Sequence, residues 1–212
     1  MVFANRIAAA EQLAAALSEY RDKHPLVLAI PRGAVPMAKV IAVELNGELD
    51  VVLVRKLRAP GNPEFAIGSV DESGWVYLAD YASQVGADKE YIRNEVSTQL
   101  ETIRLRRSQY TPVRQPVDPA ARIVIVIDDG LATGSTMLAA LHALRAKQPA
   151  ELVCAVPVAP PDTLEKVRRN ADHVICLSTP INFGAIAQFY MDFPQVTDEE
   201  VIAILASSDH AQ

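Results

Sequence analysis

Residues 122–137 read RIVIVIDDGLATGSTM. After Arg122 comes an unbroken β-branched run, the pattern of a strand buried on both faces of a parallel sheet. Two adjacent carboxylates, Asp128 and Asp129, follow where that strand should end. Gly130, a turn of small residues, Gly134 and two hydroxyls come next, and Met137, Leu138, Leu141 and Leu144 carry helical spacing. The order is strand, acidic pair, tight loop, helix.

Loops leaving the carboxyl ends of strands line the ligand crevice of an open α/β sheet. Free amides in the loop 131–136 and the positive end of the following helix suit a phosphate, and Gly130 and Gly134 let the backbone come close. Ala132, Thr133, Gly134, Ser135 and Thr136 form that candidate seat, with hydroxyls from Ser135 and Thr136 as added donors. Asp128 and Asp129 would repel a phosphate but suit vicinal sugar hydroxyls or a divalent cation. A phosphorylated ribose fits both halves at once.

Three other phosphate loops fail on the letters. A P-loop needs a lysine after its last glycine, and Ser135 follows Gly134. A dinucleotide fingerprint places its acid about 20 residues after the glycines, whereas here the acids come first. A haloacid-dehalogenase-type phosphatase needs an aspartate where Gly130 stands. The segment instead resembles the signature of type I phosphoribosyltransferases: four apolar residues, two acids, then a TGST-like turn.

The 212 residues are enough for one well-buried α/β domain, with a core drawn from Val, Leu, Ile and Ala because only 6% are aromatic. A formal charge of −6 argues against DNA as a partner. RNA contact through the run Arg104, Arg106, Arg107 stays open beside its plainer reading, cations in the last turn of a helix. Cys154 and Cys176 sit in apolar strand-like runs and read as reduced thiols. His24, His142, His173 and His210 show no metal-ligand spacing. No stretch reaches membrane-spanning length, and Glu11 and Gln12 interrupt the alanine-rich start before an export signal could form. A cytoplasmic protein is expected.

Working outward, residues 3–20 read as a first helix with Phe3, Ile7, Ala10, Leu13, Ala14 and Leu17 on one face. The strand 26–30 runs into Pro31-Arg32-Gly33, a second glycine turn, and the helix after it closes at Asn46-Gly47 as a glycine cap. Arg32 and Gly33 read either as an ordinary turn or as a second anion cradle. A strand over 50–54 ends in Arg55, Lys56 and Arg58, cations for a diphosphate or a solvated edge. Residues 59–64 look like a mobile loop, 65–79 like a hairpin in which Trp75 packs, and Asp88 caps a long helix. Strands over 152–156 and 173–177 complete the alternation, and Thr197 with Glu200 forms a capping box. The tail 178–212 gathers Phe183, Phe189, Tyr190 and Phe193.

The resemblance covers a core of about residues 26–177, with an insertion over 57–120 where these enzymes carry a covering loop. The segments LDVVLVRKLRAPGNPEFAIGSV and NFGAIAQFYMDFPQVTDEEV are similar to a bacterial group of stand-alone phosphoribosyltransferases whose acceptor is unnamed. It implies an open, mostly parallel sheet flanked by helices, with the chain as a single domain, and phosphoribosyl transfer from 5-phosphoribosyl 1-diphosphate with Mg2+ to a small nitrogenous acceptor. Asp128 and Asp129 would take the ribose hydroxyls and any protein contact to Mg2+, with Gly130 and 132–136 around the 5′-phosphate. Arg32 and Gly33 would face the diphosphate, helped by Arg55 and Lys56. Phe183 or Tyr190 would face the acceptor or simply pack, and Glu64 is a candidate general base. The alternatives are a regulatory protein that binds the activated sugar without turning it over, and a phosphoribosyl hydrolase or phosphatase. A homodimer is the assembly to test.

Overall fold

The computed structural model describes residues 1–207, the side chain of Glu64 excepted; His210 lies outside the described residues. Five parallel strands form the main sheet: β1 (Leu26–Ala29), β2 (Glu48–Val51), β6 (Ile123–Ile127), β7 (Glu151–Val158) and β8 (His173–Ser178), in the order β2-β1-β6-β7-β8. A second, antiparallel sheet joins β3 (Val54–Ala59), β4 (Asn62–Asp71) and β5 (Val76–Leu78).

Both faces of the main sheet are covered, which is why its strands are apolar without alternation. Val27, Ala29, Ile125, Ile127, Val153 and Ala155 face the cluster holding α1 (Arg6–Ala16), α2 (Val35–Leu45) and α6 (Asp198–Ala206). Leu26, Leu28, Val124, Val126, Leu152 and Cys154 face α4 (Ser135–Arg145) and α5 (Pro161–Arg168). The helix α3 (Lys89–Tyr110) lies on the antiparallel sheet, its first turn capped by the Asp88 side chain accepting from Tyr91 N at 2.8 Å. The capping box of Thr197 and Glu200 opens α6. No helix of the described residues is long and apolar enough to cross a membrane.

Several local expectations change. The first helix begins only at Arg6, because Phe3 is extended and bridged to Tyr190; Ile7 is 41% exposed while Arg6 turns inward. The expected strand 50–54 is two strands: β2 stops at Val51, and β3 starts the other sheet at Val54. Residues 59–64 are the tight end of the β3–β4 hairpin, with Ala59 opposite Asn62 and Gly61 at φ 71°. At the end of α2, Asn46 takes the left-handed position (φ 54°) in place of Gly47. Gly47 is needed for space, since a Cβ there would press on the Pro25 carbonyl oxygen.

The antiparallel sheet is fastened to the helix that begins the phosphate-type loop. Trp75 stacks on His142 of α4 with ring centroids 3.6 Å apart, and the Ser69 hydroxyl donates to the Ser135 carbonyl at 2.7 Å. Trp75 therefore packs, as its sequence setting suggests.

Candidate active site

Connections leave β1 and β6 in opposite directions, so their carboxyl ends bound the crevice at the switch point of the sheet. Ile30 N donates to Ile127 O at 3.0 Å, which brings the two exit loops side by side. The peptide bond between Pro31 and Arg32 is cis. A Cβ on Gly33 would overlap the Asp129 Oδ2, so only glycine lets the first loop lie against the acid of the second.

The two acids are held differently. Asp128 Oδ1 accepts from the Asp129 amide at 2.9 Å. Burial, and then the neighbouring Asp129 charge, hold the Asp128 carboxyl well above the usual carboxylate range. Burial also raises Asp129, opposed by Arg6. Arg6 reaches Asp129 Oδ2 with Nε at 3.0 Å and Nη2 at 2.9 Å, donates from Nη1 to Pro194 O at 2.6 Å, and lies 3.7 Å over the Phe193 ring. Local pattern gave no sign of this role; the one clue was a cation on an otherwise alanine-rich helix.

The tail closes this side. Phe3 N donates to Phe189 O, and Met191 N to Phe3 O. Tyr190 is buried beside Phe3 and Phe193, and its hydroxyl donates to the Asp129 carbonyl at 2.7 Å. Phe183 packs half-buried on Phe189, so of the two candidate acceptor-facing rings it has the more surface to offer.

In the phosphate-type loop the Leu131 amide is already donated to Val158 O at 2.9 Å, so the available seat starts at Ala132. Thr163 of α5 donates its hydroxyl to Ala132 O at 2.7 Å. Gly134 caps α4 at φ 75°, a left-handed position suited to glycine, and a Cβ there would crowd the Thr163 methyl. Thr133 and Ser135 hydroxyls lie 3.0 Å apart, and Ser135 and Thr136 begin the helix. First-turn amides have no intrahelical partner, so the loop presents donors around a concave turn.

The cations are not arranged at the end of a parallel strand. Arg58 is neutralised by Glu95 of α3, at 2.8 Å. Arg55 donates to Gln99 of the same helix at 3.0 Å, while Lys56 is exposed on β3. Arg32 Nη1 reaches Asp198 at the start of α6, 3.3 Å away. Arg106 approaches that carboxylate at 3.5 Å, and the Tyr110 hydroxyl donates to it at 2.6 Å. Arg107 instead pairs with Glu72 at 2.6 Å. The inward face of α3 thus carries Glu95, Gln99, Arg106 and Tyr110 at near-helical spacing, a polar stripe obscured by the apolar residues beside it.

A divalent cation fits beside the acid pair only with outside ligands. Among the described residues no three acidic, histidine or cysteine side chains converge on one point, and Arg6 already holds one oxygen of Asp129. Asp128, buried beside a second acid, is the protein group with most to gain from a nearby cation, and Mg2+ commonly takes one or two carboxylates plus substrate phosphates and water.

Residues 2–194 match the model of the phosphoribosyl transferase domain. The chain belongs to this phosphoribosyl transferase family. It is 44% identical to a Thermus thermophilus protein of known crystal structure, TT1426, with a TM-score of 0.81 over 98% of this chain and 99% of that one. A Mycobacterium tuberculosis protein provisionally named a phosphoribosyl transferase, found in two strains, is 37% identical over 205 residues. That match takes in 96% of this chain and 46% of the relative, so the chain spans about half the length of the curated relatives it matches.

Proposed function

We propose that this phosphoribosyl transferase family member moves a phosphoribosyl group from 5-phosphoribosyl 1-diphosphate to a small nitrogenous acceptor, releasing diphosphate. One observation carries the reading: two partly buried acids at the end of β6 lead directly into a loop capped by left-handed Gly134 at the start of α4. A sugar hydroxyl donor and a terminal phosphate are the two groups those features suit. The family match supports the same class of reaction.

In this reading Asp128 and Asp129 accept from the ribose hydroxyls, while Ala132, Thr133, Gly134, Ser135 and Thr136 seat the 5′-phosphate. Gly130 turns the chain between them. Arg32 and Gly33 take the diphosphate side, with Arg55 and Lys56 close in sequence to the same edge. Mg2+, carried mainly by the substrate with Asp128 beside it, would neutralise charge on the diphosphate. The C1–O bond to diphosphate breaks with its electron pair leaving on oxygen, the acceptor nitrogen forms the new bond at C1, and the displaced N–H proton goes to a base or water. The residues contribute positioning and charge stabilisation of the departing group. Arg6, by fixing Asp129, orients the sugar, and the aromatic tail shields that side from competing water.

The test is diphosphate release, measured with 5-phosphoribosyl 1-diphosphate and Mg2+ against purines, pyrimidines, pyridine carboxylates and simple amines. Turnover with one class identifies the acceptor. Tight binding without turnover on any class would replace the enzyme by a regulatory sugar-phosphate sensor.

A further inference from the structure

Around the single carboxylate of Asp198 the fold gathers cations from three separate elements. Arg32 comes from the loop after β1, Arg106 from α3, and Arg55 from β3, where it is held on Gln99. Arg32 contacts Asp198 Oδ2 at 3.3 Å, while Arg106 approaches Oδ1 at 3.5 Å and Tyr110 donates to that same Oδ1 at 2.6 Å. Arg55 feels the same group: burial, then Arg106, Arg58 and Arg32, pull its guanidinium below the ordinary range, with Asp198 opposing. Glu95 accounts for Arg58. Two guanidinium groups therefore share one carboxylate by direct contact, a third lies close enough to feel all of them, and the exposed Glu199 beside Asp198 offsets only part of that positive charge.

Such an excess calls for a multivalent anion, because partly buried like charges repel more strongly than exposed ones. Guanidinium forks match phosphate oxygens, and three of them can surround a group with several. The cluster also belongs to the edge already described. Gly33, next to Arg32, touches Asp129, and the tail segment that accepts from Arg6 at Pro194 reaches Asp198 four residues later, within about 14 Å even if fully extended.

We infer that Asp198 holds the place of the diphosphate group, and that Arg106 and Tyr110, with Arg32 and Arg55, become its ligands when the diphosphate displaces that carboxylate. The inference rests on the reading of Arg32 as a diphosphate ligand, and it adds two residues of α3 and an internal competitor from α6. Substrate entry then exchanges one anion for another. The internal carboxylate keeps the arginines apart and oriented while no substrate is bound, and it lowers the affinity for diphosphate in proportion to how well it competes.

The experiment is calorimetric titration of the full chain with inorganic diphosphate, and separately with ribose 5-phosphate and 5-phosphoribosyl 1-diphosphate, at fixed ionic strength. Asp198→Asn removes the competing charge while keeping the helix start, and diphosphate should bind about 10-fold tighter or better. Arg106→Gln should weaken it by about 10- to 100-fold, the loss that accompanies one charge-assisted hydrogen bond. Ribose 5-phosphate affinity should change by no more than about twofold in either variant. Arg106→Lys, which retains the charge without the fork, should fall between, and Tyr110→Phe should weaken diphosphate binding less than Arg106→Gln. Wild-type protein that binds no diphosphate, or variants whose diphosphate affinity equals wild type, would overturn the inference. If wild-type protein binds the activated sugar but the variants are unchanged, only this inference falls. If it binds diphosphate with the stated variant pattern but not the activated sugar, the functional reading above falls instead.

Discussion

Asp129 has an unusual surrounding for a group expected to receive a sugar. Its side chain is gripped by Arg6, its carbonyl accepts from Tyr190, and Gly33 lies in contact range of one oxygen. Arg6→Gln should therefore act on Asp129 more than on α1. Leaving a charged, poorly solvated partner unsatisfied costs about 1–3 kcal/mol, readable as a shifted urea midpoint, and Asp129→Asn in the same chain should recover part of it. Gly33→Ala is expected to cost about 1–3 kcal/mol through overpacking and to weaken ribose 5-phosphate binding, because Asp129 must swing away from the new methyl. Asp128 gives a pH signature. Its folded carboxyl binds protons more readily than an unfolded one, near 3.9, so stability falls as pH rises from there through the raised folded value. Asp128→Asn removes that slope. Melting temperature followed from pH 4 to pH 8 should show the variant gaining on the wild type as pH rises, even though it loses ribose affinity.

At the scale of elements, Glu48 is the joint that ties the start of β2 to the segment leading into β6. Burial raises its carboxyl, but hydrogen bonds from Arg122 and Arg114, both at 2.6 Å, outweigh this and leave it below its usual range. A depressed carboxyl contributes stability above its unfolded pKa, which is lost as pH falls through the folded value. Glu48→Gln should lose about 1 kcal/mol at neutral pH, since the Glu48 side chain is two-fifths exposed, and its acid denaturation should be shallower than that of the wild type. The run of β6 was legible because a strand buried on both faces is apolar without alternation. The break between β2 and β3 was not, because Val51 to Val54 is apolar throughout and periodicity carries no mark of a change of sheet. Arg32, Gly33 and the acid pair were picked out as candidates from turn chemistry, and the structure brings Gly33 against Asp129. Arg6 was not, since its partner is 123 residues away, and Arg106 was masked by a sufficient local explanation, the attraction of cations to a helix end.

For the molecule as a whole, the main sheet supplies a rigid edge on which two loops meet, while the smaller sheet is pinned to the same helix by Trp75 and Ser69. A ligand that bridges both loops should stabilise everything attached to them. Saturating 5-phosphoribosyl 1-diphosphate with Mg2+, at 100 times its dissociation constant, would add about 2.7 kcal/mol, and the melting temperature should rise accordingly. An unchanged melting temperature at saturation would count against both the transfer reaction and a sensing role. The grip on Asp129 also has a temporal consequence. It joins Arg6 to Pro194 across 188 positions, so on the ribosome the full set of contacts around Arg6 cannot assemble until nearly all of the described chain has emerged. At about 5–20 residues per second, a nascent polypeptide spends many seconds without that clasp, and a premature stop before Pro194 would yield a product in which Arg6 lacks one of its two anchors.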